Sequence, residues 1–185
     1  MCDYCGCRRS GPTAELAIEH EQLIEMRDQI WNDVLNNVDV SARFAELVDL
    51  LQRHAVKEEI GLFVQAREFP QMIERIDTLC SEHQQLYAWL SGGPHGGTLD
   101  DAFQLLGTHI DDEEYDLFPH IFHALDDDQW REIELAHRAV DQTWGEESRP
   151  YPHDHDHPHD HDHPHDHDHP HSHDHDHPHG HGHGH

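Results

Sequence analysis

Residues 54–63 read His54-Ala55-Val56-Lys57-Glu58-Glu59-Ile60-Gly61-Leu62-Phe63, and residues 109–118 repeat that frame as His109-Ile110-Asp111-Asp112-Glu113-Glu114-Tyr115-Asp116-Leu117-Phe118. A second echo precedes each copy: Glu19-His20-Glu21-Gln22-Leu23 and Glu82-His83-Gln84-Gln85-Leu86. The order along the chain is therefore His, His-x-x-x-Glu, His, His-x-x-x-Glu. On an α-helix, positions four apart lie about 40° apart and one turn along, so they share a face. His54 and Glu58 then point the same way, as do His109 and Glu113.

Working outward, apolar residues recur at helical spacing and no strand-like alternation competes with them. A first helix is predicted from near Thr13, with Leu16, His20, Leu23, Ile24, Ile30, Trp31 and Val34 on one side. A second starts near Ser41 and carries Leu47, Leu51, His54, Glu58 and Leu62 inward. Pro70 suits the first turn of a third, where its missing N–H costs nothing; Ile76, Leu79, Cys80, His83, Leu86, Tyr87 and Leu90 follow. The breaker Ser91-Gly92-Gly93-Pro94-His95-Gly96-Gly97 ends it. Thr98 with Asp101 resembles a capping box opening a fourth helix, and Asp126-Asp127-Asp128 caps a shorter fifth with Trp130, Ile133, Leu135, Ala136 and Val140. The fold class read from this pattern is all-α: an up-down-up-down four-helix bundle with a short fifth helix and a disordered His-rich C-terminal tail. Residues 1–12 form a Cys-rich arm, 13–145 the bundle domain and 146–185 the tail.

His20, His54, Glu58, His83, His109 and Glu113 all fall inside apolar stripes. A buried charge needs a partner or a metal, and two carboxylates facing each other repel unless a cation lies between them. Two divalent ions resolve this, with both carboxylates bridging and two imidazoles serving each ion. Imidazole with carboxylate suits Fe, Mn or Zn, and a mixed set with open positions points to non-haem iron. Glu59 and Glu114, at i+5 from the histidines and about 140° around the helix, are read as outward groups or as partners of the ligands.

This order of residues resembles the hemerythrin-like, or HHE cation-binding, family over roughly residues 13–145. The resemblance implies a four-helix bundle around a di-iron centre bridged by two carboxylates and an oxo or hydroxo group. His20, His54, Glu58, His83, His109 and Glu113 fall on the ligand positions of its four-His, two-Glu variants. Oxygen-carrying hemerythrins have a fifth histidine from a His-x-x-x-His pair on the third helix; here Leu79 and Tyr87 stand four residues either side of His83. That departure argues against reversible O2 carriage and leaves one iron an open position. The function implied is a protein that binds or reacts with a small oxidant (O2, peroxide or NO) in sensing, detoxification or iron handling. The alternative is metal storage or delivery, in which the tail collects Ni, Zn, Cu or Fe and the bundle has no turnover. A third reading, oxidation of an organic substrate, needs a substrate-sized pocket beside the irons.

Composition narrows the partners. The formal charge is −28, and of 39 acidic residues eight are tail aspartates, so the rest of the chain keeps about twenty more acids than bases. That excess argues against nucleic acid or an anionic membrane as partner. No apolar run is long enough to span a bilayer, and the first residues lack an apolar signal region; the expectation is a cytoplasmic protein with reduced thiols. Cys2-x-x-Cys5-x-Cys7 offers three of the four ligands a closed zinc site wants, and is read as a transient metal or redox segment or an arm of no decided role. The tail repeats His-Asp-His-Asp-His-Pro and places His at every second position from His153 to His185, so it should hold exchangeable transition metal. As its imidazoles protonate around pH 6.5, its charge moves from about −8 towards +9. Among other candidates, Tyr87 is either core filling or a donor near His83, Cys80 a small buried hydrophobe, His95, His120 and His123 surface groups. Gly61 and Gly107 mark close helix approach or ligand access.

Overall fold

The computed structural model describes residues 11–90 and 97–145, and every regular element among them is helical. The N-terminal cysteines, His95 and the histidine tail lie outside the described residues. Helix α1 spans Gly11–Leu35. Helix α2 (Ser41–Lys57) runs through a π-helical turn, Glu58–Leu62, into α3 (Phe63–Ala66). A 3-10 turn at Pro70–Met72 leads into α4 (Ile73–Leu90). Helix α5 (Leu99–Asp112) continues through a second π-helical turn, Glu113–Leu117, into α6 (Phe118–Phe122), and α7 spans Asp127–Trp144.

The ends follow from local chemistry. Thr98 Oγ1 accepts from the Asp101 N–H at 3.1 Å while Asp101 Oδ2 accepts from the Thr98 N–H at 2.8 Å, which satisfies two otherwise orphaned donors at the start of α5. Asp126 caps α7 in the same reciprocal way with Gln129. Helix α7 stops at Gly145, whose φ of 74° a side chain would resist. The start of α1 differs from the sequence expectation: Thr13 lies inside the helix and is buried, and Gly11, at φ 69°, leads into Pro12, whose fixed φ suits the first turn.

Two apolar clusters form the core. On α1, Leu16 belongs to the first and Leu23 to the second; on α4 the corresponding pair is Leu79 and Leu86. On the second and fourth rods the order reverses, with Leu51 and Leu106 in the second cluster and Leu62 and Leu117 in the first. Neighbouring rods therefore run in opposite directions. In every rod the His or His–Glu positions fall between its two cluster residues, so a polar layer separates two oily ones. Two expectations for buried faces fail. Trp31 and Val34 are partly exposed at the far end of α1, where Trp31 meets Phe103 edge-on, and Leu135 points outward from α7. Among the described residues, no helix is long and apolar enough to cross a membrane.

Candidate metal centre

The polar layer brings all six sequence-predicted residues together, each almost completely buried. Two groups emerge: His20, His54, Glu58 and Glu113, and Glu58, His83, His109 and Glu113, with one ligand atom per residue lying within 4.8 Å of the others. Glu58 and Glu113 are common to both. Glu58 Oε1 is 3.2 Å from His54 Nε2, and its Oε2 is 3.2 Å from His83 Nε2. Glu113 Oε2 lies 3.2 Å from His20 Nε2 and 3.6 Å from His109 Nε2. The two carboxylates thus stand between two pairs of imidazoles.

Each imidazole is aimed by a second carboxylate. His54 Nδ1 donates to Glu19 at 2.9 Å and His109 Nδ1 to Glu82 at 2.8 Å. His20 Nδ1 donates to Glu114 at 3.1 Å and His83 Nδ1 to Glu59 at 3.0 Å. The first two pairs join helices within one copy of the repeat, and the last two join opposite copies. With every Nδ1 engaged, every Nε2 faces inward, an arrangement that fixes the tautomer and raises ligand basicity at metal sites. Phe63 stacks on His83 at 6.0 Å and Phe118 on His20 at 5.7 Å, so the phenylalanine closing each repeat walls off a histidine of the other.

The Nε2 atoms of the four histidines and both oxygens of Glu58 and Glu113 are buried without an aligned hydrogen-bond partner. Orphaned buried polar atoms are costly, and these converge on one point. Their mutual distances are those of ion pairs, which carry charge in the metal-free site. Burial opposes an imidazolium at His54, yet Glu58 and Glu19 outweigh it and push its pKa up to about 10. His83 is raised to about 9 against the same burial by Glu58 and Glu59, and His20 is raised by Glu113 and Glu114. Burial would raise Glu58, but His54 and His83 hold it well below the usual carboxylate range.

Both π turns start at a shared carboxylate: the Phe63 N–H bonds the Glu58 carbonyl and the Phe118 N–H that of Glu113, five residues apart. Such wide turns recur at functional sites. The residues sequence reasoning left without a role are Glu19 and Glu82, although the doubled Glu-His was on view. Glu59 and Glu114 were read as either outward or supporting; both support a histidine, Glu114 from a buried position and Glu59 from a half-exposed one. Also unread was a group beside the layer in which Lys57, His137 and Asp141 are buried and Glu15 is partly exposed. The structure settles several lesser candidates. The Tyr87 hydroxyl donates to the Leu51 carbonyl at 3.2 Å, and its partly buried ring packs against the second apolar cluster. Cys80 is partly buried, with its thiol pushed up by burial. His120 is exposed, its ring bonded to the Asp116 carbonyl. Gly61 makes room for His137, and Gly107 lies under Arg27. A groove of about 890 Å³ between α1 and α5 reaches His20 and Glu114 from the surface.

An all-helical chain with paired His/Glu clusters that could each bind a cation defines a class of helical metal-binding domain. The chain belongs to the hemerythrin HHE cation-binding domain family, whose model matches residues 11–121. No curated protein and no solved structure matches it closely enough to count as similar.

Proposed function

We propose that this chain is a non-haem di-iron protein that binds or reacts with a small oxidant, O2, peroxide or NO, within an up-down-up-down four-helix bundle in the cytoplasm. His20, His54, His83 and His109 would hold the two ions together with Glu58 and Glu113, the carboxylates common to both groups. The observation that carries this reading is the convergence of eight buried nitrogen and oxygen atoms, none with an aligned hydrogen bond, on two overlapping four-residue sets. Imidazole and carboxylate donors in equal share fit iron, and membership of the family favours it. Iron held there supplies Lewis acidity and one-electron chemistry toward a small ligand.

The protein's own groups do the rest. Glu19, Glu59, Glu82 and Glu114 keep the four rings aimed inward. Phe63 and Phe118 exclude water from the rings they cover. The groove between α1 and α5 gives a small molecule a route from the surface to His20 and Glu114. The test is iron content and near-ultraviolet absorption before and after air oxidation, for the wild type and for His54→Ala with His109→Ala. Two irons per chain and a band that grows on oxidation, both lost in the double variant, support the reading. Unchanged iron in that variant rejects it.

One observation favours a second reading, storage or delivery: 17 tail histidines, one at every second position. Deleting residues 151–185 separates the two. A storage protein loses most of its metal capacity, whereas a protein working through the buried centre keeps two ions and its response to oxidant.

A further inference from the structure

The repeat that builds the two half-sites is broken by one buried cation. Lys57 stands three residues after His54; the residue three after His109 is Asp112, which faces outward toward Arg75 at 3.3 Å. Lys57 is almost fully buried, and its Nζ donates to Glu15 Oε1 at 2.5 Å and Glu19 Oε1 at 2.7 Å. Asp141 Oδ1 lies 2.8 Å away as an ion pair, off the line of a good hydrogen bond. Glu19 is therefore gripped at both oxygens, one by Lys57 and the other by His54 Nδ1. Glu15 passes the grip on, accepting from His137 Nδ1 at 2.9 Å, and the His137 ring packs over Gly61. His137 and Asp141 come from α7, which has no counterpart in the repeat and lies beyond the residues the family model matches.

Among the described residues, the other half shows no such clamp. Glu82, the counterpart of Glu19, lines a surface groove with its side chain 17% exposed, and Glu59 is 41% exposed. Glu19 and Glu114, which serve the first half, are 8% and 6% exposed. Water competes for an exposed carboxylate and lets it swing, and the imidazole it aims swings with it. A buried carboxylate held by an ammonium has nowhere to go, and the ring it aims stays on target.

We propose that Lys57 is a positioning residue that makes the two metal positions unequal: it retains the ion at His20 and His54 longer than the ion at His83 and His109. This rests on the di-iron reading above. The partners of Lys57 from α7 and α1 extend the grip through Asp141, Glu15 and His137, so the last helix of the described chain serves the centre without touching a ligand.

The experiment is release of iron(II) from the full chain. The protein is loaded anaerobically, passed over a chelating resin to strip weakly held ions, and challenged with excess bipyridyl-type chelator while colour is followed. Two irons leaving in two equal phases, about tenfold or more apart, are expected for the wild type, given what outer partners of metal ligands contribute. Lys57→Met should speed the slow phase about tenfold towards the fast one, with helix content unchanged by circular dichroism, and Lys57→Arg should restore it. If Lys57→Met does not fold, Asp141→Asn decides, with a several-fold acceleration of the slow phase alone. A single release phase in the wild type overturns the inference and leaves the metal centre standing. So does a slow phase indifferent to whichever of these variants fold. No iron retained after the resin overturns the metal-centre reading and this inference with it.

Discussion

At the scale of the residue, the centre depends on carboxylates that never need to touch a metal. Replacing Glu114 by Gln keeps the shape but removes the charge that His20 Nδ1 donates to at 3.1 Å. Outer partners of metal-bound histidines typically carry about ten- to a hundredfold in affinity, so Glu114→Gln should weaken iron binding by that factor in an equilibrium competition with a chelator. A loss under twofold would mean that Glu114 does not aim His20. The protons at the centre give a second prediction. In the metal-free protein, His54 has a pKa of about 10 and His83 about 9, both above the ordinary 6.5. A raised imidazole stabilises the fold fully below pH 6.5 and loses that contribution as pH rises through the folded value. At pH 7.5 both rings are therefore protonated, and a divalent ion must displace a proton from each. Calorimetry at pH 7.5 in buffers of different ionisation heat should show about two protons released from the centre, and affinity should climb with pH until about 9 to 10. The chain truncated after Pro150 is used, so that the 17 tail histidines add no protons to the count. Binding heat that does not depend on the buffer would contradict these charges.

At the scale of the element, the six inward residues were legible because helical period alone puts them in apolar stripes, and the doubled frame ties the stripes together. The supporting acids were harder. Glu59 sits about 140° around from His54 on an ideal helix, which reads as outward from its own stripe; in the structure that direction is toward α4, where His83 waits. Sequence position tells where a side chain leaves its helix but not which neighbour stands there. The π turns left no mark in the pattern, since one extra residue per turn over five residues is too short a shift to disturb the period. His137 had no echo to set it apart, because α7 lies outside the repeat. The two interior glycines show the same division. Both interrupt helical runs, but a Cβ at Gly61 would come within 3.0 Å of the buried His137 ring, whereas at Gly107 it would meet only the tip of Arg27. Gly107→Ala should therefore stabilise by about 0.5–1 kcal/mol, the usual helix gain. Gly61→Ala should destabilise by about 1 kcal/mol, because overpacking against a pinned ring outweighs that gain. Urea unfolding of the two variants checks the opposite signs, and the same sign for both would refute the packing argument.

At the scale of the whole molecule, the polar layer divides the apolar core into two, and that division has an energetic consequence. Each cluster lies to one side of the layer, and the layer between them brings eight buried nitrogen and oxygen atoms into contact only through ion pairs that lack good alignment. A pair of cations bound there would satisfy those atoms. Any ligand that binds only the folded state stabilises it by about 2.7 kcal/mol at a hundredfold excess over its Kd. For a domain near this size, 1 kcal/mol shifts Tm by about 2–4 °C, so one tightly filled position is worth roughly 5–10 °C and two are worth more. Iron loading should raise Tm by at least that amount, and the chelator should reverse it. Truncation after Pro150 removes all 17 tail histidines and discriminates between the two places metal can go. After Tyr151 the sequence offers no aliphatic or aromatic hydrophobe to bury, so ions bound there are expected to add nothing to the stability of the fold. The truncated chain should therefore lose much of its total metal capacity yet keep the whole Tm shift. If the shift disappears with the tail, the stabilising ions are not in the buried layer, and the eight convergent atoms hold protons rather than iron.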